Sequence, residues 1–152
     1  MLLESVFIKG FRNFAETRIS FSKSTLIVGA NNSGKSNLLF ALRILFDPTL
    51  SAKDFELSEL DINVETQDDE VEITAKLIEV REPCLVSTFG KYMSDDNVVY
   101  ISYRGTSDGS YSFYAGPDTV RGLEKVMSRF YIQNLMLEYV ESARDISAFI
   151  KR

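Results

Sequence analysis

The sequence contains no histidine and no tryptophan, and only one cysteine among its 152 residues. Without an imidazole the chain has no histidine general base, no Ser-His-Asp or Cys-His nucleophile and no HExxH zinc motif. The lone Cys84 forms no internal disulfide and supplies no cysteine cluster for zinc. Any chemistry must therefore come from lysine, arginine, carboxylates, hydroxyl groups or a bound Mg²⁺.

Proline and glycine are scarce as well, with 3 and 8 residues, while 45% of the chain is hydrophobic and 26% is charged. This composition is typical of a globular domain and excludes a disordered or fibrous chain. No apolar run approaches the roughly 18 residues that a bilayer-spanning helix needs, and Glu4 replaces the cationic start of a secretion signal. We predict a compact cytoplasmic unit with no membrane attachment.

The net charge of −5 is unevenly distributed. Residues 1–53 carry 7 basic and 3 acidic groups, residues 54–82 carry 2 and 11, and residues 83–152 carry 8 of each. The first segment therefore favours an anionic ligand. The acidic segment predicts a solvated loop and strand edge, the alternative being a specific cation or protein contact, and it contains no calcium-binding loop. Because the whole chain is acidic, its charge disfavours broad nonspecific DNA binding by this segment alone.

The first third reads as strand, strand, strand, loop and helix. Alternating residues predict strands at 2–9 and 17–21, joined by a turn at Arg12, Asn13 and Phe14. The continuous apolar run Thr25–Val28 is typical of a strand covered on both faces. A helix is predicted over Lys35–Phe46 and is stopped by Asp47-Pro48. Its apolar stripe consists of Leu38, Leu39, Leu42, Leu45 and Phe46.

In the remaining two thirds of the sequence, alternating residues predict a half-buried strand over 71–77 with a bulge near Ile78. A hairpin is predicted after it, with strands 98–104 and 111–114 on either side of a six-residue loop. A helix is predicted over 117–127 and a short strand at Phe130–Ile132. A last helix begins at about Leu135. This helix is either an ordinary packed helix or the start of a coiled-coil or dimerisation arm. The second alternative depends on the spacing of its a and d positions, which are Met136, Tyr139, Ala143, Ile146 and Ile150.

The segment Gly29–Ser36, GANNSGKS, fits the pattern GxxxxGK[ST]. Glycines let consecutive N–H groups turn towards phosphate oxygens, and the helix that follows directs its positive end at the same place. Lys35 would reach the β- and γ-phosphates, and the Ser36 hydroxyl would bind Mg²⁺. The predicted strand before the motif and the helix after it are the context that this motif requires. We therefore predict a nucleotide site, with ATP and Mg²⁺ as its ligands.

Other parts of the sequence narrow the class of nucleotide-binding protein. No Asn/Thr-Lys-x-Asp element for reading guanine is present, which disfavours GTP. In small-molecule kinases the P-loop usually follows the first strand, whereas two predicted strands and the FRNF turn come first here. A self-contained kinase would also need a catalytic carboxylate, and none is identifiable.

With these features the segment IKGFRNFAETRISFSKSTLIVGANNSGKSNLLFALRILF resembles the N-terminal part of the ABC-type ATPases of the RecF, SMC and OLD (overcoming lysogenization defect) group. Within this group, NNSGKSN and the helix ending in LFD look most like the OLD-family ATP-dependent nucleases, including those of antiphage systems. The resemblance covers about residues 3–46. It implies an α/β fold, a mixed β-sheet with flanking helices, as in the N-terminal lobe of an ABC-type ATPase head.

The resemblance also implies roles for residues outside the loop. Arg12 and Asn13 would contact the nucleotide, the alternative for Arg12 being a surface turn. RFYIQN resembles the strand before the Q-loop, so Gln133 would be a catalytic residue that senses Mg²⁺ and the attacking water, the alternative being a surface glutamine. The catalytic candidates are Lys35 and Gln133, and the candidate metal ligands are Ser36 and Gln133. The predicted nucleotide contacts are Arg12, Asn13, Gly29, Asn31, Asn32, Ser33, Gly34, Lys35, Ser36 and Asn37.

Two elements of the group are missing from the sequence, the LSGGQ-like signature and the hydrophobic run ending in Asp-Glu known as Walker B. We therefore expect residues 1–134 to be the incomplete N-terminal lobe of the ATPase domain, and residues 135–152 to be a C-terminal helix. The expected partners are the rest of the ATPase/nuclease polypeptide or a second subunit, with a homodimer in the complete protein. That protein would couple ATP hydrolysis to DNA cleavage, DNA repair or antiphage defence, the alternative being a non-catalytic nucleotide-dependent interaction module.

Overall fold

The computed structural model describes residues 1–66, 68–120 and 122–139, which contain a six-stranded sheet. The strands are β1 Leu2–Phe11, β2 Phe14–Ser20, β3 Glu70–Ile78, β4 Val99–Thr106, β5 Tyr111–Gly116 and β6 Glu124–Val126. Their order in the sheet is β2-β1-β3-β4-β5-β6, and all neighbouring strands are antiparallel. The predicted α/β class, with helices flanking a sheet, is confirmed.

The longest helix in the described residues is α1, Lys35–Phe46, which has the predicted bounds. It ends where the N–H of Asp47 donates to the Arg43 carbonyl at 2.8 Å, directly before Pro48. Because proline has no N–H and disfavours helical backbone in the residue before it, the helix stops there. The other helices are α2 Ala52–Phe55, α3 Pro83–Phe89 and two 3-10 turns at Glu59–Asp61 and Gly90–Tyr92.

One face of the sheet and one side of α1 form the core. Alternate residues of β1, β3, β4 and β5 point to this face, as the twofold period of a strand requires. The buried face of α1 differs from the predicted stripe. Ala41 and Ile44 are buried as well, whereas Leu39, which belongs to the predicted stripe, is 37% exposed. The fully buried apolar residues of the core include Val6, Ile8, Ala41, Ile44, Leu45, Ile73, Ala75, Val99 and Ile101.

Both predicted hairpins are present. Phe11 pairs with Phe14, so the first turn consists of Arg12 and Asn13 alone and Phe14 begins β2. The second hairpin joins β4 to β5, with Gly105 paired to Tyr111. Its loop, residues 107–110, is shorter than the predicted six residues because Gly105 and Thr106 belong to β4. The bulge predicted near Ile78 lies instead on β1, where the register with β3 shifts between residues 3 and 5.

The prediction of a strand at Thr25–Val28 is wrong, because the structure describes these four residues and they form no strand. Leu26, Ile27 and Val28 are 87%, 39% and 79% exposed. A short apolar run of this kind forms a strand when neighbouring strands bind its backbone and other layers cover its side chains. None of the six described strands pairs with it, so the apolar run alone does not create the strand.

The helix predicted over 117–127 and the strand predicted at Phe130–Ile132 are also wrong for the described residues. Glu124–Val126 form β6, which pairs with β5 through Val126 and Phe113, and no helix forms among the described residues of 117–127. Residues 130–134 form turns instead of a strand. The aromatic side chain of Tyr131 is fully buried, and its hydroxyl donates to the Leu45 carbonyl at 3.0 Å. Tyr131 is thus anchored against α1, and the short apolar run does not reveal this contact.

The helix predicted from about Leu135 is not formed over residues 135–139. Met136 and Tyr139, its first two a/d positions, are 57% and 38% exposed. The other three positions, Ala143, Ile146 and Ile150, lie outside the described residues, so the arm stays a prediction. Across the ranges 1–66, 68–120 and 122–139, no helix has both the length and the apolar character that crossing a membrane requires.

Candidate nucleotide-binding site

The segment between β2 and α1 curls into a tight loop over residues 29–34. The Ser33 N–H donates to the Ala30 carbonyl at 3.2 Å. Asn32 and Gly34 adopt left-handed backbone, with φ of 67° and 93°. Glycine takes such angles at little cost, and asparagine tolerates them better than most residues. The order of residue types in the motif therefore matches the backbone that the loop adopts.

The side chain of Lys35 turns back into this loop. Its ammonium donates to the carbonyls of Gly29 and Ala30 at 2.7 and 2.6 Å and to the Ser33 hydroxyl at 3.2 Å. An ammonium has three donors, so all of them face loop oxygens. An anionic phosphate is a stronger acceptor than a neutral carbonyl. A phosphate entering the loop would therefore take over some of these donors and draw Lys35 towards itself.

The N-terminus of α1 is free of competing negative charge. Gly34 is the N-cap, no side chain caps the helix, and the first turn contains no acidic residue. The first N–H groups of a helix have no partner within it, and the helix dipole places positive potential there. They face a cavity of about 490 Å³ lined by Asn31, Asn32, Gly34, Lys35, Ser36 and Asn37. The arrangement suits an anion such as a phosphate group.

The β1–β2 turn contacts the loop through Asn13. A Cβ built on Gly34 would lie 2.2 Å from the Asn13 side-chain nitrogen, so the two residues are in close contact. The Asn37 amide donates to Asn13 Oδ1 at 2.7 Å. The predicted contact Asn13 therefore lies against the last residue of the loop and the first turn of α1.

Arg12 lies beside the same helix turn, but protein groups surround its guanidinium. Its Nη1 donates to Asn37 Oδ1 and its Nε to Asp61 Oδ1, both at 3.0 Å. The guanidinium lies 5.0 and 4.7 Å from the ring centroids of Phe11 and Phe40, within cation–π range. The side chain keeps 32% of its surface exposed.

Asp61 is ionised beside this arginine. Burial acts to raise its pKa, but the Ser58 N–H, the Arg12 guanidinium and the Ser58 hydroxyl outweigh burial and hold the pKa below its usual value. The Asp61 side chain is 19% exposed. This part of the acidic segment is therefore not the solvated loop that the charge pattern predicted.

Gln133 is not brought to the phosphate loop. It lines a separate cavity of about 380 Å³, which shares no lining residue with the one at the loop and is bordered by aromatic side chains and Arg129. The strand that was expected to precede Gln133 is replaced by the turns around Tyr131. In this conformation Gln133 does not meet Lys35 or Ser36.

The sequence does not reveal which side chains surround the Arg12 guanidinium, and besides Asn37 these are Phe11, Phe40 and Asp61. Asp61 is 49 positions away along the chain, and no local pattern links the two residues. Phe40 lies outside the predicted apolar stripe of α1. One signal was available, because the predicted turn contains an arginine and the segment 54–82 is acidic, but the eleven acidic groups of that segment do not show which one pairs with Arg12.

The site has the features of a P-loop. They are a glycine-containing loop, a lysine turned into it, a hydroxyl residue after the lysine and an uncapped helix. Comparison with known proteins agrees with this class. The chain belongs to the AAA ATPase domain family, whose match covers residues 1–136.

Curated relatives align with the N-terminal region. The chain is 53% identical over 45 residues to an ATP/GTP phosphatase of Helicobacter pylori and 37% identical over 59 residues to the endonuclease GajA of Bacillus cereus. It is 48% identical over 46 residues to the DNA replication and repair protein RecF of Gloeothece citriformis. These alignments cover 29%, 39% and 30% of this chain, and only 12%, 10% and 12% of the three relatives.

Among solved structures, an SMC ATPase chain superposes with a TM-score of 0.68 at 25% sequence identity, covering 100% of this chain and 92% of that one. The predicted resemblance to an N-terminal ATPase segment of the RecF, SMC and OLD group is confirmed by these matches. ATP binding is supported by the same family membership.

Proposed function

We propose that this chain binds Mg²⁺-ATP at the phosphate loop as the N-terminal lobe of an ATPase, and that the complete protein couples ATP binding and hydrolysis to an action on DNA. The observation that carries the proposal is the uncapped helix α1 together with the Lys35 side chain, which turns back from its first residue into the loop. The DNA part rests on the names of the relatives, an endonuclease and a DNA replication and repair protein. Contact with DNA is proposed for the complete protein only.

The residues of the loop fit a triphosphate. The free N–H groups of α1 and of the loop would bind phosphate oxygens, and the Lys35 ammonium would balance the charge of the β- and γ-phosphates. The Ser36 hydroxyl would hold the metal, which when bound neutralises part of the charge on the phosphates. Asn13 and Arg12 would support the site from the β1–β2 turn. This chain's contribution is then binding and orientation.

We further propose that residues beyond the described ones complete the catalytic site, either the rest of the polypeptide or a second subunit. The exposed apolar run Leu26–Val28 supports this, because a segment of this kind is suited to a buried strand. The residues lining the cavity at the loop also include no carboxylate that could orient a water molecule. The SMC ATPase whose structure resembles this chain is described as undergoing ATP-driven dimerisation. We therefore favour a homodimer as the arrangement of the complete protein.

The absence of a carboxylate from that lining equally favours the second candidate function, a nucleotide-dependent interaction module without catalysis. In that case ATP would only stabilise an interface. The two functions differ in whether any partner segment confers ATP turnover on the chain. Adding back a downstream segment or second subunit and measuring phosphate release separates them.

Binding is tested with the Lys35→Ala variant and a fluorescent ATP analogue. Removing a charge-assisted hydrogen bond costs about 1.5–3 kcal/mol, which corresponds to roughly a tenfold loss of affinity or more. Cys84→Ala is the matched control, since Cys84 is exposed and lies in α3. Equal affinities of Lys35→Ala and the wild type would refute the assignment of the P-loop.

Turnover is measured in the same preparations. We expect the chain alone to bind Mg²⁺-ATP and to release phosphate negligibly, because phosphoryl transfer depends on positioning the attacking water and stabilising the transition state. Lys35→Ala controls for a contaminating ATPase. Lys35-dependent turnover on the order of 1 per second, the low end of typical enzyme rates, would contradict the reading of the chain as an incomplete lobe.

A further inference from the structure

Asp61 holds both the side chain and the backbone of Arg12. The carboxylate accepts from Arg12 Nε at 3.0 Å through Oδ1, and its other oxygen accepts from the Ser58 N–H and hydroxyl at 3.1 and 3.0 Å. In addition, the Arg12 N–H donates to the Asp61 carbonyl at 2.8 Å. Both oxygens of this carboxylate therefore have defined partners, and its position is fixed by the 3-10 turn that contains it.

The backbone at Arg12 needs such support. Its φ is 49°, in the left-handed region that residues with a side chain rarely adopt. Asn63, which is 5% exposed, donates from its side-chain amide to the Arg12 carbonyl at 2.6 Å. Phe11 and Ile62 form an antiparallel bridge next to it. The acidic segment is thus bound along the end of β1 and holds the turn in an unfavourable conformation.

A chain of contacts leads from this clamp to the phosphate loop. The Arg12 guanidinium donates to Asn37 Oδ1, and the Asn37 amide donates to Asn13 Oδ1. Asn13 in turn lies against Gly34, the residue that begins α1. Each side chain in this series has its orientation set by the one before it. The orientation of Asn37 and Asn13 at the loop therefore depends on where the guanidinium is held.

We propose that Asp61 is a positioning residue of the nucleotide site, which orients Arg12 and through it the Asn37 and Asn13 side chains that support Gly34. The proposal rests on the proposed function, since it concerns the same site. Asp61 itself touches no residue of the loop in this chain of contacts. Its effect on nucleotide binding is indirect and passes through Arg12.

The proposal is tested with Asp61→Asn, Arg12→Ala and the double variant in the full chain, using the fluorescent ATP analogue. Asparagine keeps the volume of the side chain and one oxygen acceptor, so it removes the charge with little change in shape. We expect Asp61→Asn to weaken binding about three- to tenfold, less than the loss of a charged hydrogen bond made directly to the nucleotide, because Asp61 acts only through Arg12. Glu59→Gln is the matched control, because Glu59 lies in the same 3-10 turn and is exposed.

Coupling separates a positioning role from a merely structural one. If Asp61 acts through Arg12, the double variant binds the analogue no more weakly than Arg12→Ala alone. If Asp61 only stabilises the fold, its variant unfolds at lower denaturant concentration while the affinity of the folded chain stays at the wild-type value, and the proposal is overturned. An increase in affinity would also overturn it, because Asp61 would then be withholding Arg12 from the nucleotide.

The Lys35→Ala variant, measured in parallel, distinguishes failure of this proposal from failure of the proposed function. A loss of affinity in Lys35→Ala together with wild-type affinity in Asp61→Asn rejects only the role of Asp61. Unchanged affinity in Lys35→Ala rejects the P-loop site and the positioning role together.

Discussion

Replacing Gly34 by alanine tests how closely the β1–β2 turn is fitted to the phosphate loop. Gly34 has φ 93°, and an added Cβ would lie 2.2 Å from the Asn13 side-chain nitrogen and 3.0 Å from its Cγ and Oδ1. The backbone strain of a non-glycine residue there costs about 1–2 kcal/mol. Asn13 must also move and lose its 2.7 Å bond with Asn37, which costs about 0.5–1.5 kcal/mol more.

We therefore expect Gly34→Ala to lower the free energy of unfolding by about 1.5–3.5 kcal/mol, the sum of the strain and hydrogen-bond costs. Gly109→Ala is the matched control. Gly109 also has a positive φ, 85°, but its added Cβ would lie 3.7 Å from the Glu56 Cβ, an ordinary contact. The control should lose only the backbone part, about 1–2 kcal/mol. Urea unfolding followed by circular dichroism measures both variants.

The same two variants are then titrated with the fluorescent ATP analogue. Gly34→Ala should weaken binding, because it displaces Asn13 and disturbs the start of α1, whereas Gly109→Ala should bind like the wild type. Equal losses of unfolding free energy in the two variants would show that the contact between Asn13 and Gly34 contributes nothing. Unchanged affinity in a folded Gly34→Ala chain would refute the link between the turn and the nucleotide site.

Two further predictions concern the stability of the fold. Arg129→Met keeps the apolar stem but loses the hydrogen bonds that Arg129 donates to carbonyls at the C-terminal end of α1, including the one to Asp47 at 2.7 Å. We expect the free energy of unfolding in urea to fall by about 2 kcal/mol, and wild-type stability would contradict a stabilising role of these hydrogen bonds. Burial acts to raise the pKa of Asp47 and Asp61, but their hydrogen bonds and arginine neighbours outweigh it and lower both pKa values below 3.8. Their stabilisation is therefore complete above about pH 4, the unfolded value, and is lost as the pH falls through the folded values. Unfolding free energies measured from pH 7 to pH 2.5 should fall less steeply in Asp47→Asn, and equal slopes would contradict the assignment.

The sequence alone was enough where neighbours along the chain determine the structure. The two hairpins follow from alternating residues around short turns, and α1 follows from its apolar spacing and from Pro48 behind it. The phosphate loop belongs to the same class, because Gly34 and Lys35 must be adjacent for the backbone to curl and the ammonium to reach back. Periodicity and local turn chemistry act within a few residues, and a sequence displays them directly.

Only the tertiary structure decided the features that depend on distant partners. The apolar run Leu26–Val28 has the sequence of a buried strand but stays exposed, since no described strand binds it. Tyr131 lies in a turn and its hydroxyl bonds to the Leu45 carbonyl, and Arg12 is bound to Asp61 across 49 positions. Burial and ion pairing are properties of two segments at once, and the energy of each depends on a spatial neighbour that no local pattern in the sequence specifies.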